Sequence, residues 1–228
     1  MAQYDISILG TRLEFASATN GTTSSCVLSS TRVLLANRDN VNDGFVRTYD
    51  VDRTTGAFTA ANVAFEFDTA DCTQLFLLTL DSTHALAIWR GTSNDGFMRF
   101  LTVNAGTGVI TGGTTLEFDT ADMQYPSAQL MDSTHVLVTW QGTSNMKGQV
   151  FSLDTGTGVC TAIGSATNIG SNLYSGTTAK ISSTKVVIFY LGTASEDLEG
   201  AILDINTSTW AVSVQSGPHN LLVLTTSN

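Results

Sequence analysis

The chain has 228 residues, a formal net charge of -10 and only 13% charged residues, about half the share of an average domain. Its negative field repels phosphate backbones and anionic lipid, so nucleic acid is not an expected partner. No stretch nears about 18 apolar residues, and MAQYDISILG joins no basic region to an apolar run, so neither membrane insertion nor a signal peptide is expected.

The first residues, MAQYDISILGTRLEF, read as an outer strand running into a connection. After them comes a short strand of small residues, SSCVLS, then a turn and the apolar run SSTRVLLAN from 29. The loop RDNVNDG leads into VRTYDVDRTTGAFTA, where apolar and polar residues alternate on both sides of a Gly-bearing turn. Gly tolerates the positive φ of tight turns, so this is a hairpin.

The same order then recurs. FEFDTADCTQLFLLTLDSTHALAIWRGTSN at 65–94 is answered by LEFDTADMQYPSAQLMDSTHVLVTWQGTSN at 116–145. The Ser-Thr-cation turns begin at 29, 81, 132 and 182, with spacings of 52, 51 and 50. Hairpins follow each one, in MRFLTVNAGTGVITG, QVFSLDTGTGVCTA and GAILDINTSTWAVSV. The repeats therefore span 13–64, 65–115, 116–166 and 167–217 within one domain, 1–228, with terminal strands at 1–12 and 218–228. NLLVLTTSN at 220–228 reads as one more inner strand.

Each unit reads as four strands: a small inner one, a continuous apolar one, then two of a hairpin. A strand apolar on both faces needs cover on both, which neighbouring units supply. The expected fold is all-β, a β-propeller of four-stranded antiparallel blades. Four repeats of about 51 residues leave the closure open: a fifth blade, a clasp of terminal strands, or pairing with a second chain through them.

The apolar run ending in Gly, then an alternating strand entering Asp-x-x-Thr-x-Trp, resembles the kelch type of blade, most closely in LDINTSTWAV at 203–212. The resemblance covers residues 13–217, with single glycines, Gly91, Gly142 and Gly192, where kelch repeats have pairs. The repeats are also similar to tandem units of uncharacterised bacterial and phage surface proteins. A kelch-like adaptor would imply an intracellular protein-interaction scaffold.

In a meander the connections sort onto two faces. One collects Asp68, Asp71, Asp119 and Asp122 with Asp43, Asn94, Asp95 and Asn145, and near it Trp89, Trp140 and Tyr190 end the apolar strands. Those are the ingredients of a carbohydrate site. The plainer alternative is that the rings fill the wedge between blades and the aspartates cap turns. The opposite face collects one cationic or titratable residue per blade: Arg32, His84, His135 and Lys185. These could hold an anion or simply be solvated turn positions.

No metal or other cofactor is expected, since no loop carries a dedicated calcium pattern. The odd count of cysteines, Cys26, Cys72 and Cys160, implies no disulfide framework. No nucleophile elbow, HExxH or phosphate loop is present, and two of the three histidines are repeat-equivalent, so no enzyme is expected. The composition points to a non-catalytic binding or structural propeller on a particle or cell surface, such as a phage fibre, tail or capsid-decoration protein, or an adhesin. A soluble lectin is the alternative. Expected partners are other structural proteins or surface glycans. The expected location is a virion or extracellular surface, with the cytoplasm as alternative.

Overall fold

A computed structural model describes residues 22–171, 173–192 and 198–222. They form a β-propeller of four antiparallel blades, with no α-helix among the described residues. The first blade comprises β1 (Thr23–Ser29), β2 (Arg32–Arg38), β3 (Gly44–Val51) and an outer edge in two pieces, β4 (Phe58–Ala60) and β5 (Phe65–Asp68). The second comprises β6 (Thr73–Thr79), β7 (His84–Arg90), β8 (Gly96–Val103), β9 (Ile110–Gly112) and β10 (Leu116–Asp119). The third holds β11 (Gln124–Asp132), β12 (His135–Gln141), β13 (Asn145–Asp154) and β14 (Val159–Ser171). The fourth holds β15 (Leu173–Lys180), β16 (Lys185–Gly192), β17 (Leu198–Ile205) and β18 (Val212–Leu222).

The apolar second strands explain the packing. Ala85 through Trp89 in β7 and Val136 through Trp140 in β12 are buried on both faces, so each of these sheets needs a neighbour on either side. Three cores result, one per seam. The first joins Leu34, Val46 and Phe67 to Ala87 and Leu101, the second joins Ile88 and Phe100 to Val138 and Phe151, and the third joins Leu137 and Val150 to Ile188 and Leu203. Along the inner strands the seams carry hydrogen bonds that repeat with the sequence. The Leu77 amide donates to Ser24 Oγ at 2.9 Å, and the Thr178 amide donates to Ser127 Oγ at 3.1 Å.

The phase of the repeat is displaced from where the sequence similarity begins. FEFD forms β5 and pairs with β3, and LEFD forms β10 and pairs with β8, so each prolongs the outer edge of the preceding blade. Asn220 and Leu222 pair with Glu199 and Leu198, which places the start of NLLVL in an outer strand where a fresh inner strand is expected. The expected terminal strand 1–12 and residues 223–228 lie outside the described residues. No helix among the described residues is long and apolar enough to cross a membrane.

Candidate functional site

One face of the propeller carries the connections from second to third strand and from outer strand to the next blade; the opposite face carries the remaining turns. On the first face, register builds a row. Arg38 opposes Gly44, which opposes Asp68, and in the next blade Arg90 opposes Gly96, with Asp119 beyond it. Each row thus sets an arginine and a carboxylate two strand spacings apart, about 10 Å.

The expected aromatic platform is not offered to solvent. Trp89 and Trp140 are each 1% exposed and Tyr190 is 3% exposed. Trp89 lies edge-on to Phe67 at 5.0 Å, and Trp140 meets Phe118 at the same distance. Burial leaves each indole N–H in need of an acceptor. The aspartates provide it: Trp89 Nε1 donates to Asp68 Oδ2 at 2.9 Å, and Trp140 Nε1 donates to Asp119 Oδ2. The tryptophans therefore act as core anchors and cannot stack on a sugar.

The two carboxylates differ in charge environment. Asp119 also accepts from Lys147 Nζ at 3.0 Å, and Lys147 is the cross-strand partner of Trp140. Beside Trp89 the partner is Phe97, stacked at 5.8 Å, so the strand position that supplies Asp119 with a lysine gives Asp68 none. Burial pushes the half-buried Asp68 carboxyl above its ordinary range, and Asp43 and Asp71 add to the rise, against the pull of the Trp89 indole and the Thr69 amide. A carboxyl so placed can hold a proton nearer neutrality than a surface aspartate.

The other expected residues on this face tie loops together. Asp122 accepts from Arg90 Nη2 at 2.7 Å and from Gln124 Nε2 at 2.6 Å. Asn94 acts through its backbone, its carbonyl receiving the Met123 amide at 2.9 Å, while the Asp95 carbonyl receives that of Gly91 at 2.9 Å. Asp43 is held through its amide to Asp39 Oδ1 at 2.9 Å. Among the described residues, no group of three His, Cys, Asp or Glu side chains is arranged to hold a metal ion. The three cysteines are free. Burial drives the Cys72 thiol far upward and Cys160 to about 12, so neither is a nucleophile.

Three side chains on this face are absent from the sequence-based set. Arg38, Arg90 and Gln141 close the second strands of the first three blades, and each keeps one buried polar atom without a hydrogen bond among the described residues: Nε, Nε and Oε1. The signal was the polar residue ending each apolar run, in ANR, IWR and TWQ.

The opposite face carries Arg32, His84, His135 and Lys185, but not a positive ring. Arg32 pairs with Asp50 at 2.7 Å, His84 with Asp81 at 2.7 Å, His135 with Asp132 at 2.9 Å and Lys185 with Asp204 at 3.0 Å. Each of the four side chains has its own carboxylate, which removes the field that would collect an anion.

No protein-family model matches the chain, and no curated protein matches it by sequence. Among solved structures it is similar to a provisionally assigned 6-phosphogluconolactonase from Bacteroides uniformis, with 13% identity and a TM-score of 0.55, covering 86% of this chain and 72% of that one. It is also similar to Trypanosoma rangeli sialidase, with 7% identity and a TM-score of 0.52, covering 87% of this chain and 38% of that one. At these identities the likeness shows the fold alone. It still corrects the expectation of a non-catalytic virion, adhesin, lectin or scaffold propeller, and of no enzyme. The matched propellers are named for reactions, so fold and composition do not argue against catalysis. The inventory of motifs misled because propeller chemistry need not sit in a contiguous motif.

Proposed function

We propose that the chain is a hydrolase of a sugar-derived, anionic substrate, a lactone or a glycoside, working on the face that carries Asp68. The observation behind this is the contrast between repeat-equivalent carboxylates. Asp119 is neutralised by Lys147, whereas Asp68 has Phe97 beside its tryptophan and is raised by burial. A half-buried carboxyl with no cation paired to it among the described residues is a general base or acid in waiting.

In lactone opening, ionised Asp68 takes a proton from the water that attacks the carbonyl carbon. The ring C–O bond then breaks, and the carboxyl returns the proton to the leaving oxygen. Arg38, whose backbone stands two strand spacings from Asp68, carries a cation suited to the anionic group. The names of the two similar structures, a phosphosugar lactonase and a sialidase, support a sugar-derived anion.

The test is hydrolysis of 6-phosphogluconolactone and of a fluorogenic sialoside by wild type, Asp68→Asn and Arg38→Gln. Asn keeps an acceptor for Trp89 but cannot take a proton, so kcat should fall about 10²-fold or more. Arg38→Gln should act mainly on KM. Turnover of neither substrate, or full activity in Asp68→Asn, removes the proposal.

A further inference from the structure

The face opposite Asp68 holds a cavity that no part of the proposed reaction uses. It measures about 550 Å³ and lies between the lower turns of the first and second blades, bounded by Arg32, Asp50, Asp52, Ser82, Thr83 and Ala105. That volume is within the range of small-molecule sites.

The fold itself displays an occupant of the corresponding place elsewhere. In the seam between the third and fourth blades, the Trp210 ring lies flat on the His135 imidazole, with centroids 3.8 Å apart and planes inclined by 16°. Trp210 ends the hairpin turn of its blade, at the position filled in the other blades by Gly56, Gly108 and Gly158. All four have positive φ, 70° for the glycines and 56° for Trp210. A tryptophan there is strained where glycine is not, so the ring stays because its stack offsets the strain.

At the first seam both members change. Arg32 takes the place of His135, and Gly108 takes the place of Trp210, so the equivalent turn offers no ring to the cation. The guanidinium is fixed: Nε and Nη2 donate to Asp50 at 2.7 and 3.1 Å, and Nη1 donates to the Ala105 and Asn104 carbonyls at 2.6 and 3.3 Å. A planar cation held rigidly at the wall of a cavity is a surface for an aromatic ring. Nearby, Asp52 spends one carboxylate oxygen on the amides of Thr54 and Thr55, at 2.8 and 3.3 Å, and meets no cation among the described residues. Because Asp50 is balanced by Arg32, it is Asp52 that leaves the mouth negative, which repels an anion and attracts an ammonium.

We propose that this cavity binds an aromatic amine, its ring stacked on the Arg32 guanidinium as Trp210 stacks on His135, and its ammonium on Asp52. The site is independent of the chemistry assigned to Asp68.

Tryptamine is the probe, followed by saturation-transfer NMR and calorimetry on the full chain. Arg32→Lys keeps the charge and the partner Asp50 while removing the flat surface. The fold accommodates that change, because Lys185 with Asp204 already fills the equivalent position in the fourth blade at 3.0 Å. Asp52→Asn keeps the turn acceptor and removes the charge. Tryptamine should bind wild type, and at least tenfold more weakly to either variant. 2-Cyclohexylethylamine, with the same ammonium and no π face, and indole-3-acetate, with the opposite charge, should bind at least tenfold more weakly than tryptamine. Absence of tryptamine binding, equal affinity for Arg32→Lys, or equal binding of the cyclohexyl amine would overturn the proposal.

Discussion

Replacing Trp89 by Phe probes the link between core packing and the carboxyl that the site depends on. The smaller ring keeps contact with Phe67, 5.0 Å away, and with Phe97, 5.8 Å away, but loses the N–H that reaches Asp68 Oδ2 at 2.9 Å. A hydrogen bond to an ionised acceptor contributes about 1.5–3 kcal/mol. The volume vacated at a site only 1% exposed adds about 1 kcal/mol. The loss at neutral pH is therefore about 3 kcal/mol, which for a chain of this length lowers Tm by roughly 6–12 °C. The pH dependence has a definite sign. The indole N–H pulls the Asp68 carboxyl down, so without it the folded-state carboxyl rises further and binds a proton more readily. As pH falls through that range the variant gains on wild type, because a neutral acceptor makes a bond of only about 0.5–1.5 kcal/mol. Urea unfolding followed by far-UV circular dichroism at pH 4 and pH 7 measures both losses. Trp140→Phe is the comparison: its carboxylate keeps Lys147 at 3.0 Å, so its loss at pH 7 should be the smaller. A Trp89→Phe loss identical at both pH values, or smaller than that of Trp140→Phe at pH 7, would refute the reasoning.

Gly113→Ala should cost about 3 kcal/mol or more, since an added Cβ falls 1.9 Å from the Gly158 carbonyl oxygen and must force two blades apart; thermal unfolding reads this directly. Ser127→Ala removes a buried hydroxyl that accepts the Thr178 amide at 3.1 Å and meets its hydroxyl at 2.8 Å, so about 1–3 kcal/mol should disappear from urea unfolding. Lys147→Met leaves Asp119, which is 8% exposed, with only the Trp140 indole and the Ala121 amide as donors and no cation; a loss of about 3 kcal/mol at pH 7 is expected, and a neutral outcome would mean that the ion pair is dispensable.

The architecture was readable because the same apolar run returns four times, and a run buried on both faces demands copies of itself as neighbours. The phase was harder. FEFD and LEFD look like the start of a unit, yet their partners are the preceding β3 and β8, a pairing that similarity between repeats does not encode. Trp89, Asp68, Trp140 and Asp119 stand out in the sequence as repeat-equivalent pairs. Their mutual contact, donor to acceptor across 21 residues, was not visible in the sequence. The difference between GTSNDGF and GTSNMKG was in plain sight, but only register shows that Lys147 and Phe97 both stand opposite a tryptophan, and so decide which aspartate is neutralised. The pairing of Arg32 with Asp50 and of Lys185 with Asp204 also required register, since each carboxylate stands across strands, whereas His84 and His135 meet Asp81 and Asp132 three residues away within their own turns.

The most direct test is a carbon-13 NMR titration of the Asp68 carboxyl in wild type and in Phe97→Lys, which supplies the lysine that the third blade has. A wild-type midpoint above the ordinary aspartate value of about 3.9, brought down by Phe97→Lys, is the expected result. A midpoint at or below that value, or one indifferent to the new lysine, would contradict the claim that this carboxyl is poised for proton transfer.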